Sequence, residues 1–208
     1  MMRPTRSITI LSVVAAVLLN VANAQNPPAR RGGRGGPIQT MTLTTTAWPD
    51  GGIIPLRYTQ AGPEISPAIQ WSSVPANTAS FVLFFQDVDS VVNNSTDSML
   101  HWLVWNIPGT AAGIAQGRPD GFELPDGSRQ ISVSGSRYRG PGAPANGPAH
   151  HYLMELYALD VTLDIKVAPQ GAQEPNPDVQ ALRTSILQAM VGHVRGKAAY
   201  VGLFHRPQ

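Results

Sequence analysis

The 208 residues include no cysteine. Disulfides, thiol nucleophiles, iron–sulfur clusters and cysteine zinc sites are therefore excluded, and an exported form of the chain has to be held by its core alone. Charge is also scarce, at 13% of residues, with 15 basic and 13 acidic side chains. The small positive balance belongs to one end: Arg3, Arg6, Arg30, Arg31 and Arg34 all precede Ile38, and no acid does. From Ile38 onward ten basic residues face thirteen acidic ones, which is not the balance of a nucleic-acid-binding domain. After the first two dozen residues no apolar run is long enough to cross a bilayer. Gly-x-Ser-x-Gly, His-Glu-x-x-His, Walker and dinucleotide-binding patterns are missing as well, so serine-hydrolase, zincin and nucleotide chemistry have no support.

The ends account for the chain's organisation. Residues 1–24 have the layout of a secretory signal, with Arg3 and Arg6 ahead of an apolar stretch from Ile8 to Val21 and Ala22-Asn23-Ala24 before Gln25. Cleavage is favoured over an uncleaved anchor, because Asn20 and Asn23 flank a short apolar core; stable membrane insertion is then not expected. Residues 25–37, QNPPARRGGRGGP, offer nothing to pack and read as a disordered tether. Residues 38–208 form one domain, and a hydrophobic content of 42% is enough for a core.

Within that domain, turn residues separate many short apolar runs. Met41 to Thr46 reads as an edge strand, Pro49-Asp50-Gly51-Gly52 as a turn, and Ile53 to Tyr58 and Ala68 to Trp71 as further strands. Phe81 to Phe85 has no polar residue and suits a strand buried on both faces. In strand alternation, Asp87 continues the face of Phe81, Leu83 and Phe85, and His101 shares a face with Leu103 and Trp105 in the segment Leu100 to Asn106. Gly109 to Gln130 is irregular, Gln130 to Val133 a small strand, Leu153 to Leu159 a strand, and Ala198 to Phe204 the last one. A helix is expected from Asn176-Pro177-Asp178, with Asn176 as cap and Val179, Leu182, Ile186 and Met190 as its apolar stripe, weakening at Gly192 and Gly196. This inventory predicts a mostly antiparallel β-sandwich with a helix at one side.

Chemistry-bearing residues collect at the strand ends. Asp87 and Asp89 stand where the buried strand leaves the core, His101 starts the next strand, and His150-His151-Tyr152 follows the loop YRGPGAPANGPA. His150 and Tyr152 share a face, so His150 rather than His151 is the pocket candidate. Gly140-Pro141 forms a stiff corner whose neighbouring amides could face an anion. Imidazoles, a phenol and amides suit phosphate, sulfate or carboxylate, while the acids would orient the imidazoles and favour their charged form. No catalytic nucleophile joins the group, no metal-ligand spacing stands out, and no cofactor is expected.

The ordered segments SPAIQW, SFVLFFQDVDS, LHWLVWNIPG and YRGPGAPANGPAHHYLMELYALD resemble the phosphatidylethanolamine-binding protein family, in its bacterial, Raf-kinase-inhibitor-like branch. The resemblance spans about Met41 to Phe204. It implies an antiparallel Greek-key β-sandwich with peripheral helices and a pocket for phosphate-like head groups. Asp87 and Asp89 match the family's acidic motif, His101 its first histidine, Gly140 and Pro141 its glycine-proline turn, and His150 and Tyr152 its later histidine and tyrosine. The acidic motif usually reads Asp-Pro-Asp-Ala-Pro and here is DVDSV, without either proline. The reading that follows is a periplasmic or secreted protein binding a small anionic or phosphoryl ligand. Inhibition of an envelope protein by direct contact, or acid–base catalysis in the same pocket, are the alternatives.

Overall fold

A computed structural model describes residues 37–167 and 178–208. The expected leader, nearly all of the tether, and Asn176 and Pro177 lie outside them. Ten strands are described: β1 (Gln39–Thr40), β2 (Thr42–Thr44), β3 (Gly52–Ile53), β4 (Ile69–Ser72), β5 (Ser80–Val91), β6 (Ser98–Pro108), β7 (Gly113–Ile114), β8 (Arg129–Ile131), β9 (His150–Leu159) and β10 (Val194–Phe204). One α-helix, α1, covers Val179–Met190. Where a strand from Ile53 to Tyr58 is expected, only β3 forms; Pro55 breaks the run and Leu56–Tyr58 turns as a 3-10 helix. The irregular stretch from Gly109 contains the short β7, and β5 and β6 are longer than their apolar cores.

The large sheet has the order β1-β10-β9-β5-β6-β8, with β3 also on β10, and the small one β2-β4-β7. After the β5–β6 hairpin, β9 returns to the other edge of β5, antiparallel to it. Only β1 and β3 pair in parallel with β10 among the described strands. The fold is mostly β, a sandwich of two sheets with mixed pairing and a helix at its side.

The uninterrupted apolar run explains why β5 is central. Phe81, Leu83 and Phe85 enter the core between the sheets, against Leu43, Ile69, Trp71, Met154 and Leu156. Val82 and Phe84 enter the other core, with Leu103, Trp105, Leu163 and the helix residues Leu182, Ile186 and Met190. Burying each of those helix side chains stabilises by about 1.5–3 kcal/mol, enough to decide where α1 docks. Its cap is Asp178, not Asn176: the carboxylate accepts from the amides of Gln180 and Ala181 at 3.0 and 3.2 Å. Gly196 belongs to β10, not to the helix end; a Cβ there would meet the Met41 sulfur at 2.7 Å.

Simple alternation fails in β6. Its pairing with β5 steps from Phe85↔Trp102 to Gln86↔Leu100, so His101 is an extra residue in a β-bulge. Leu100, Leu103 and Trp105 face α1, whereas His101 joins Trp102 on the side between the sheets. The expectation that His101 shares a face with Leu103 and Trp105 is thus corrected.

Candidate functional site

The bulge delivers His101 to the site. Its ring lies edge-on to Phe85 and Tyr152, with centroids 6.0 and 5.1 Å away, and the residue is only 2% exposed. From β9, Tyr152 pairs across the sheet with Asp87 of β5. Asp87 Oδ2 then receives His150 Nδ1 at 2.8 Å, with the Asp87 side chain almost fully buried and that of His150 a quarter exposed. Four expected residues, Asp87, His101, His150 and Tyr152, therefore form one connected cluster at the end of the sheet.

Asp89 takes another role. Its carboxylate receives both the ring Nδ1 of His151, at 2.8 Å, and the His151 backbone amide. These bonds, the backbone one foremost, hold the Asp89 carboxyl below the ordinary carboxylate range. The pair is exposed, so Asp89 holds the start of β9 and orients neither His101 nor His150.

No acid clamps His101 either. Its Nδ1 lies 3.1 Å from both the Arg139 and the Gly140 carbonyl oxygens, which only accept. Burial is the leading influence and lowers the pKa of this ring; the nearby Asp87 pulls the other way without prevailing. The expectation that acids favour a charged imidazole does not hold at this position.

The Gly140-Pro141 corner is present, but its amides are occupied. Gly140 N donates to Glu64 Oε1 at 3.0 Å, while Gly142 N and Ala143 N donate to the Tyr152 hydroxyl at 3.2 and 3.1 Å. Proline has no amide to offer. The corner therefore shapes the site by presenting carbonyls to His101, rather than by offering an anion free N–H groups. Tyr152, buried and beside Asp87, has its pKa driven well above the usual phenol range, so it stays a neutral hydroxyl.

A supporting shell escapes sequence reasoning. The segment 138–143 docks on residues 58–60: Tyr138 Oη donates to Tyr58 O at 2.7 Å, Gln60 Nε2 to Gly140 O at 2.7 Å, and Gln60 N to Pro141 O at 2.9 Å. Tyr138 also stacks on Phe85 with ring centroids 6.0 Å apart. Tyr138 stands inside the conspicuous YRGPG string and Phe85 inside the buried strand, so both carry a local signal. Glu64 and Gln60, far upstream, carry none. No group of three or more His, Asp or Glu among the described residues is arranged to hold a metal ion.

Comparison with known proteins agrees with this architecture. The family model for phosphatidylethanolamine-binding protein matches residues 44–205. A UPF0098 protein of Methanothermobacter thermautotrophicus is 40% identical over 168 residues, covering 80% of this chain and 99% of its own. A Mycobacterium tuberculosis protein named as lipoprotein LppC is 32% identical over 168 residues, covering 80% of this chain and 73% of its own. Among solved structures, a phosphatidylethanolamine-binding protein homologue from Chlamydia trachomatis superposes with a TM-score of 0.63 at 26% identity, covering 81% of this chain and 99% of its own. E. coli YbcL shares the fold, with a TM-score of 0.62 at 22% identity, covering 80% of this chain and 98% of its own. With its fold, the family match over most of the domain and a 40% identical relative all in agreement, the chain belongs to the phosphatidylethanolamine-binding protein family.

Proposed function

We propose that this chain is a binding protein of the cell envelope or the secreted space, and that it holds a small anionic, phosphoryl-type ligand at Asp87, His101, Tyr152 and His150 beside the Gly140-Pro141 corner. The observation that carries the reading is the 2.8 Å bond between His150 Nδ1 and the buried Asp87 carboxylate. A carboxylate on one ring nitrogen fixes the imidazole's orientation, and in the cationic ring the Nε2–H is then a charge-assisted donor for an anion. The family name supports a phosphoryl ligand. Envelope or secreted location is supported by the leader-like residues 1–24 and by the relative named as a lipoprotein. No helix among the described residues is long and apolar enough to cross a membrane.

Calorimetric titration with phosphoethanolamine and inorganic phosphate between pH 5 and 8 tests the reading. Binding is expected to be tighter at the acidic end and to weaken ten- to hundredfold in His150→Ala, the cost of losing one charged hydrogen bond of about 1.5–3 kcal/mol. Absence of binding by either anion throughout this range would refute it. Binding that survives His150→Ala unchanged would move the ligand elsewhere on the molecule.

A further inference from the structure

The bonds that hold His101 decide which of its atoms meets a ligand. Nδ1 lies 3.1 Å from two carbonyl oxygens, those of Arg139 and Gly140, so Nδ1 must carry a hydrogen. In the neutral ring the lone pair is therefore on Nε2, the nitrogen that the bonds to the two carbonyls leave open. The neutral ring is the favoured one here, since the residue is 2% exposed between the Phe85 and Tyr152 rings. The charged and titratable groups that bear on it are Asp87 from β5, Tyr152 from β9 and Arg139 from the loop. Burial, the leading influence, and the Arg139 charge oppose protonation; the Arg139 and Gly140 carbonyls and Asp87 favour it without prevailing. The amides that could have donated in its place are bonded to Glu64 and Tyr152.

A ligand oxygen resting on His101 thus meets an acceptor and needs a hydrogen of its own. We infer that the site selects phosphoryl ligands in the protonated, monoanionic state, the P–OH donating to His101 Nε2 while the charged oxygens face His150. This rests on the anion-binding reading above and adds the protonation state to it. A tetrahedral anion of equal size and charge but without an acidic hydrogen would leave two lone pairs in opposition, and so would a fully ionised phosphate monoester.

Three probes separate the possibilities: methyl phosphate, methyl sulfate, which matches its monoanion in shape and charge but has no proton, and methylphosphonate, which keeps its second proton to higher pH. At pH 5.5, calorimetry on the protein should give methyl sulfate an affinity roughly tenfold or more below that of methyl phosphate, the expected cost of an acceptor that the ligand covers without giving it a hydrogen. The loss of affinity with rising pH should set in near pH 6 for methyl phosphate, about where a phosphomonoester loses its second proton, and later for methylphosphonate. A long-range proton–nitrogen spectrum of the methyl phosphate complex should show His101 Nε2 without a hydrogen. Equal binding of methyl sulfate, one shared pH midpoint for both phosphorus ligands, or a protonated His101 Nε2 in the complex would overturn the donor assignment and leave the anion site standing. If none of the three binds at any pH from 5 to 8, both readings fall.

Discussion

At the scale of single residues, His101 links the site to stability. An unfolded chain protonates a histidine near pH 6.5, whereas burial keeps this ring neutral to lower pH. Between those two points the unfolded state binds more protons, so stability is fully present above about pH 6.5 and is lost as the pH falls. The thermal midpoint should therefore drop between pH 7.5 and 5, and His101→Gln should flatten that drop. An equal slope in the variant would mean that the ring is already solvated in the folded protein. Glu64 is the second residue of note, since it adopts φ 56° without being glycine and its carboxylate holds the Gly140 amide. Left-handed backbone at such a residue costs of order 1 kcal/mol, and the loop contact offsets it.

At the scale of elements, the site depends on the 138–143 segment lying flat against residues 58–60. A Cβ on Gly140 would come within 2.6 Å of Tyr58 O and 2.7 Å of Thr59 Cα, both backbone atoms that cannot swing aside. Gly140→Ala should cost about 1–3 kcal/mol, read as a lower urea midpoint, and should weaken phosphate binding because the carbonyls move off His101. A variant as stable as the wild type would show that the loop tolerates displacement. The long central strands are easy to predict, since Phe81 to Phe85 suits a doubly buried strand and His150, Tyr152 and Met154 alternate without interruption, whereas the short ones at Ile53 and Gly113 are not. Period-2 reasoning fails at His101 because a bulge adds a residue that no side chain announces. It also cannot tell that the Gly140 amide is bonded to Glu64, 76 positions away in the chain, or that those of Gly142 and Ala143 are bonded to the Tyr152 hydroxyl.

At the scale of the whole molecule, an acidic domain follows a basic, leader-like end. Expressed with its full sequence in an exporting host, the protein should be recovered outside the cytoplasm with Gln25 as its first residue, which intact-mass measurement reads directly. A cytoplasmic product retaining Met1 to Ala24 would contradict the envelope proposal while leaving the pocket chemistry untouched. The bulge in β6 has a wider meaning for the architecture. It makes residue count part of the proposed pocket, much as a reading frame does for a message: losing one position between Ser98 and His101 would remove this register shift and set the imidazole opposite Gln86, on the helix side, with all four clustered residues still in the chain and the cluster taken apart.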